Sequence, residues 1–266
     1  MSLVPVAVPE SPAGILDENG LSQALRSLRD SGMVVVHNAY PNGYVEALRV
    51  AYHDLLASNP EGRVQPTSGT QHVQMQVPLI SPFSDVLTVA HPVAVQILTR
   101  VLGEDFRASY YNSNTAYPGS TYQRVHRDAA PVFGSELTVA TPPTGIVLNI
   151  PLCDFTVENG STEVWPASHL IVDSPEDAGV ELNDRVGALA SSRLNAPARS
   201  FVLRDLRVWH RGTPNNSDRE RSMIALVYKR RFYGWRSPAL RVPESTWQTW
   251  PEHVREIFAE APIDKD

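Results

Sequence analysis

The chain has 266 residues and a hydrophobic fraction of 42%, enough to bury a sizeable core; 23 basic against 29 acidic residues give a net charge of −6. No block of like charge accompanies this mild acidity, which argues against nucleic acid or an anionic membrane as a partner. A single cysteine, Cys153, excludes an internal disulfide framework and a thiolate zinc site, and no run of about 18 apolar residues exists to span a bilayer. The start, Met1-Ser2-Leu3-Val4-Pro5-Val6, lacks a basic region followed by an apolar run, so no signal peptide is expected and the protein reads as cytoplasmic.

Residues 1–14, with proline and small side chains, read as a loosely held arm. From 19 to 30, Leu21, Leu25 and Leu28 recur at helical spacing, and Ser31-Gly32 ends that helix before a short buried strand at 33–36. A second helix spans 42–58 with Val45, Leu48, Tyr52 and Leu55 as its apolar stripe and His53 off it. Residues 59–83 form a long irregular stretch, of the length at which a loop is either a functional lid or disordered. Within it 71–76 alternates like a strand edging the site. Helix follows over 85–90 and again from Pro92 to Leu102, stopped by Gly103.

From Phe106 onward the texture changes to short runs with strand character, at 106–114, 122–128, 145–152, 161–165, 200–203, 206–209 and 221–231. Turns separate them at Pro118-Gly119, Pro142-Pro143, Glu158-Asn159-Gly160 and Asn215-Asn216. The polar residues 171–198 read as an insertion loop with some helix, and the tryptophan-bearing segment 243–258 as one that packs back on the barrel. Helices followed by many short strands predict a mainly β fold with flanking helices, a double-stranded β-helix (jelly roll, cupin-like) core in a single domain over 1–266.

The densest chemistry lies in Tyr122-Gln123-Arg124-Val125-His126-Arg127-Asp128. Side chains alternate along a strand, so His126 and Asp128 would face one way, close enough to share a metal ion. His210, in Val208-Trp209-His210-Arg211-Gly212-Thr213-Pro214-Asn215, is the best candidate for a third ligand. Two imidazoles and one carboxylate with open positions form the facial triad of non-haem Fe(II) oxygenases. Arg124 shares the parity of His126 and Asp128; it would bind an acidic group of a substrate or close a salt bridge at the barrel mouth. Arg221 opens an otherwise apolar strand, where a charge is costly unless paired, so it grips a carboxylate or sits in a structural ion pair. Arg219, in the adjoining turn, is the fallback.

Rival and lesser candidates have blander readings beside them. Asp154 and Asp205 compete with Asp128 but sit next to turns, where aspartate bonds the backbone. His37, His53, His91, His169 and His253 read as surface or capping groups, whereas His72, within 59–83, is a candidate for touching substrate. Tyr110, Asn112 and Asn114 share one strand face, which lines a barrel interior or faces solvent at an edge. Trp165 is either a pocket wall or plain core.

Three stretches, in order, resemble the phytanoyl-CoA dioxygenase family of Fe(II)/2-oxoglutarate oxygenases. They are His126-Arg127-Asp128; Glu158 through His169, with Ala167 where the family's Pro-Gly-Ser-His segment has glycine; and His210 through Asn215-Asn216-Ser217 to Arg221. The resemblance covers roughly residues 19–232. It implies Fe(II) held by His126, Asp128 and His210, with 2-oxoglutarate and O2 as co-substrates. It also implies that the arginine 11 positions after the second histidine, Arg221, grips the distal carboxylate of 2-oxoglutarate. Asn112 and Thr213 are the candidates for further hydrogen bonds to 2-oxoglutarate. The expected activity is oxidation, foremost hydroxylation, of a C–H bond of a small molecule of the secondary-metabolite kind, by a monomer or small homo-oligomer, with release of succinate and CO2. Related halogenases have a small residue where Asp128 stands, so oxygenation rather than chlorination is expected. A cupin-like metalloenzyme that does not use 2-oxoglutarate and a catalytically silent jelly-roll binding protein are the other readings.

Overall fold

The computed structural model describes residues 6–7, 14–234 and 236–265. Two residues of the expected loose arm, β1 (Val6–Ala7), pair in parallel with β2 (Met33–His37); Gly14 apart, the rest of 1–14 lies outside the described residues. Helix α1 (Glu18–Ser31) starts at Asp17, whose carboxylate accepts from the Gly20 amide at 2.7 Å. It ends at Gly32, in the left-handed region at φ 82°. A Cβ on Gly32 would lie 2.4 Å from Val208 Cγ2 and 2.7 Å from His169 Nδ1, so both the backbone and the close approach demand glycine. Helix α2 (Tyr44–Ser58) buries Val45, Leu48, Tyr52 and Leu56, with Leu56 rather than Leu55 completing the stripe.

The expected strand within 59–83 forms as β3 (His72–Gln76), and Val64 bridges back to Gln74 through two backbone bonds of 2.8 and 2.7 Å. After α3 (Val86–Val89) and α4 (Pro92–Leu102) come β4 (Arg107–Ala116), β5 (Gly145–Pro151) and β6 (Glu163–Val164). The insertion contributes α5 (Leu182–Arg185), followed by β7 (Ser192–Arg193), β8 (Phe201–Asp205), β9 (His210–Arg211) and β10 (Arg221–Lys229). Seven strands make the main sheet in the order β1-β2-β8-β5-β10-β4-β3, antiparallel but for β1 with β2. The short strands β7-β6-β9 make the second sheet of the jelly roll.

The strand period of two sorts the main sheet's side chains. Ile146, Leu148 and Ile150, Phe201 and Leu203, and Ile224, Leu226 and Tyr228 form the principal core with α1, α2 and α4. Their alternates, Val147, Asn149, Pro151, Val202, Arg204, Arg221, Met223, Ala225 and Val227, line a cavity of about 1040 Å³. As expected, the C-terminal segment packs back: Trp250 Nε1 donates to Ser84 O at 2.8 Å, and Val254, Ile257 and Phe258 join the core. Among the described residues no helix is long and apolar enough to cross a membrane.

Two expected strands do not form. Residues 122–128 carry an isolated bridge only, because their amides go to scattered acceptors: Gln123 to Gly212 O, Arg124 to Ser68 Oγ, Val125 to Asn183 Oδ1 and His126 to His210 O. Residues 206–208 are a turn, closed by the Val208 amide on Asp205 O at 3.1 Å, and the strand resumes at His210. Replacing Gly32 by alanine adds backbone strain and a collision in the packed core, and should destabilise by roughly 2–4 kcal/mol. Gly119, at φ 76° with open space around it, should lose only about 1–2 kcal/mol on the same change. Urea denaturation of both variants checks this, and equal losses would show that the contact with Val208 yields.

Candidate metal centre

Two reciprocal backbone bonds of 2.9 Å join His126 to His210 and bring the ring centroids to 4.2 Å. Asp128 follows, its amide bonded to Leu206 O at 2.8 Å. One potential ligand atom from each of His126, Asp128 and His210 lies within 4.8 Å of the others. The backbone also sets the imidazole tautomers: Nδ1 of His126 meets Arg124 O, and Nδ1 of His210 meets Val208 O, both at 2.9 Å. Each Nδ1–H donates to that carbonyl and leaves the Nε2 lone pair for a metal.

The carboxylate is ionised. Desolvation pushes the Asp128 carboxyl up, but the Arg204 guanidinium bonded to it outweighs this and holds the group well below the usual carboxylate range. Burial, and next the Arg204 charge, push His210 well below its ordinary value, so its imidazole stays neutral. Two imidazoles and one carboxylate converging on a cavity are a donor set that fits a divalent first-row metal such as iron.

Elsewhere in the same cavity stands Arg221, 3% exposed at the head of β10. Among the described residues its Nε has no hydrogen-bond partner, and its guanidinium lies 4.7 Å over the Phe155 ring. Burial pulls it down to about 10, and the charged groups that bear on it are Cys153 and Arg193, not a carboxylate. The structural ion pair weighed for Arg221 is therefore absent among the described residues. An ionised guanidinium held dry and unpaired is a ready receptor for an incoming carboxylate. Arg219 is exposed and outside this cavity.

The remaining candidates divide. Arg124 lines the cavity at its exposed rim, and His72 lines it with its ring Nε2 at 2.7 Å from Thr121 O. Asn112 does not line it: its amide donates to Tyr110 Oη and accepts from the Ser113 amide, and Asn114, one step along the same face, takes its place. Nor does β4 present that face at an edge, since β3 covers it. Thr213 is buried elsewhere, donating to Ser161 O at 3.0 Å and accepting from Arg193. Trp165 is core, packed with Val125 and Trp209 behind the metal-bearing segments. Asp154 accepts from the Ala198 amide and Asp205 from Arg207, so neither rivals Asp128. His91 caps α4, whereas His169 is buried rather than superficial. Unanticipated were Arg204, bonded to Asp128, and Asn149, 6% exposed in the cavity wall.

The phytanoyl-CoA dioxygenase family model matches residues 28–223. Dioxygenase aneA of Aspergillus aculeatus is 28% identical over 175 residues, which are 60% of this chain and only 58% of that relative. Dioxygenase andF of Emericella variicolor is 26% identical over 218 residues, 78% of this chain and 73% of its own. Among solved structures, the non-haem alpha ketoglutarate dependent carbocyclase SnoK from nogalamycin biosynthesis superposes with a TM-score of 0.65 at 23% identity, over 83% of this chain and 86% of its own. The epimerase SnoN from the same biosynthesis gives 0.65 at 21%, over 80% and 84%. HygX from Streptomyces hygroscopicus, solved with nickel, 2-oxoglutarate and hygromycin B, gives 0.62 at 16%, over 82% and 89%. At such identities these likenesses establish the shared jelly roll.

The insertion buttresses the centre from outside. Asp173 accepts from Arg127, which stands between His126 and Asp128, and from Arg185 at 2.8 Å. The Val125 amide donates to Asn183 Oδ1 at 2.8 Å, and Arg185 lies 4.8 Å over the Trp209 ring. Asp173→Ala should unclamp this segment, lowering Tm by roughly 2–8 °C and speeding tryptic cleavage after Arg185. Cleavage unchanged by mass spectrometry would show that the clamp is dispensable.

Proposed function

Since the chain belongs to the phytanoyl-CoA dioxygenase family of Fe(II)/2-oxoglutarate oxygenases, we propose that it is an iron- and 2-oxoglutarate-dependent dioxygenase of a small-molecule substrate. His126, Asp128 and His210 hold the iron, and Arg221 holds the distal carboxylate of 2-oxoglutarate. The observation that carries this reading is the buried, unpartnered Arg221 in one cavity with the triad. When bound, iron with 2-oxoglutarate and O2 supplies an oxidant for a C–H bond as the co-substrate becomes succinate and CO2. The chain's own share is placement and shelter. The two Nε2 lone pairs and the Asp128 charge fix the metal, and the Arg221 fork orients the far end of the co-substrate.

Val147, Leu206, Ala225 and Val227, with Tyr110 and Ala129 packed against them, form a separate apolar patch on the cavity wall. That patch receives the hydrocarbon part of the substrate and keeps water from the reacting bond. Arg124 at the rim is placed to meet an acidic group. Hydroxylation is the outcome proposed; SnoK and SnoN, a carbocyclase and an epimerase by name, are built on the same fold. A cupin-like enzyme without 2-oxoglutarate would leave the Arg221 charge without a purpose.

Oxygen-free protein titrated with Fe(II) and then 2-oxoglutarate should develop a visible charge-transfer band, and a substrate screen should raise succinate above the uncoupled background. A charge-assisted hydrogen bond contributes roughly 1.5–3 kcal/mol, and about 1.4 kcal/mol is tenfold in affinity. Arg221→Ala should therefore weaken 2-oxoglutarate by about one to two orders of magnitude with iron retained. Arg221→Lys should recover part, and Arg219→Ala should change nothing. No change in either alanine variant sinks the 2-oxoglutarate reading. Asp128→Ala should lose most of the iron affinity, and a chlorinated main product from the wild type would contradict the oxygenase assignment.

A further inference from the structure

The proposed ligand set leaves a buried cation beside it unexplained. Arg204, on β8, is 5% exposed and faces the cavity with Val147 opposite it on β5. Its Nη2 donates to Asp128 Oδ2 at 2.7 Å. Its Nη1 stands 3.2 Å from His210 Nδ1, but that nitrogen's proton is directed at Val208 O, so no hydrogen bond forms there in the metal-ready tautomer. The two carboxylate oxygens of Asp128 are thus differentiated: Oδ2 is held by the guanidinium, and Oδ1 is turned toward His210 Nε2 at 3.5 Å.

The consequence lies in coordination arithmetic. An ion held by these three protein donors would keep positions open, and a chelating 2-oxo acid would need two of them. A carboxylate bound through both oxygens would close one of them. We propose that Arg204 is a positioning residue, which by holding Oδ2 restricts Asp128 to one metal-facing oxygen and keeps open the position that the 2-oxo acid needs. This rests on the reading of the site given above. The guanidinium charge acts in the same direction, since it adds to Arg221 in drawing a dianion into the cavity.

The test uses oxygen-free, Fe(II)-loaded protein with 2-oxoglutarate as the probe, and Co(II)-loaded protein without it. A wild type that gives no charge-transfer band overturns the functional reading and this proposal with it. Given that band, Arg204→Met should hold Fe(II) within about threefold of wild type yet bind 2-oxoglutarate at least roughly tenfold more weakly, a difference of ~1.4 kcal/mol. Its Co(II) ligand-field spectrum should change as the freed Oδ2 joins the metal. Arg204→Lys, which keeps the charge and one donor, should recover part of both. Wild-type 2-oxoglutarate affinity and Co(II) spectrum in Arg204→Met overturn the proposal. So does a parallel loss of metal and 2-oxoglutarate that lysine fails to restore, the mark of a merely structural residue. Should Arg204→Met not fold, Arg204→Gln decides: weaker 2-oxoglutarate with iron retained supports the proposal, and unchanged 2-oxoglutarate overturns it.

Discussion

The site depends on one piece of main-chain pairing, the reciprocal bridge between His126 and His210. Neither histidine gains its position from a long ladder: β9 has two residues, and His126 pairs alone. The two bonds nevertheless fix the separation of the rings, and a carbonyl two residues earlier in each segment fixes how each ring turns. Asp128 is then placed by Leu206 O. The donor geometry is thus written in backbone hydrogen bonds.

Strand alternation governs the charges as firmly as it governs the core. Arg204 and Asp205 are neighbours of opposite sign, yet they do not pair, because adjacent side chains on a strand leave opposite faces. Arg204 turns into the cavity to meet Asp128, while Asp205 turns the other way and takes both of its oxygens to Arg207. Arg207 in turn reaches Thr141 O at 2.8 Å. Two ion pairs therefore back one another across β8: one at the cavity, where Arg204 is buried and Asp128 partly exposed, and one on the other face, where Arg207 and Asp205 are both buried. Loss of Asp205 or Arg207 strands its partner's charge in the interior, which is far more damaging than loss of a surface pair.

Much of this was legible in the sequence because it rests on local chemistry. The stop at Gly32 and the apolar stripes of α1 and α2 follow from spacing. His126, Asp128 and His210 were singled out by residue type and interval, and the structure does bring them together, although not through the expected strand: they share a cavity without sharing a strand. Arg221 was found as a charge leading an apolar run. The same rule applied to Phe201-Val202-Leu203-Arg204 would have found Arg204, but that residue fell in the gap between the strands expected at 200–203 and 206–209. What stayed hidden depends on distant segments. Asn112 and Asn114 have the same parity, and the bonds of the Asn112 amide with Tyr110 and the Ser113 amide turn that one away. Trp165 and Thr213 sit beside the right motifs, yet they face the core and Ser161 respectively. The clamp of Asp173 on Arg127 and Arg185 joins residues that no local pattern connects.

Arg221 burdens the fold as well as serving it. A jelly roll that holds a guanidinium beside Phe155 with no counter-ion among the described residues is less stable than the same jelly roll with an anion in place. Any carboxylate that fits there raises the free energy of unfolding by mass action, and does so more as its concentration rises. Protease attack on the transiently opened chain follows the open population, so binding of a carboxylate at Arg221 would couple the lifetime of the protein to the supply of that carboxylate. A cell well stocked with it would keep the enzyme longer, and a starved one would clear it sooner.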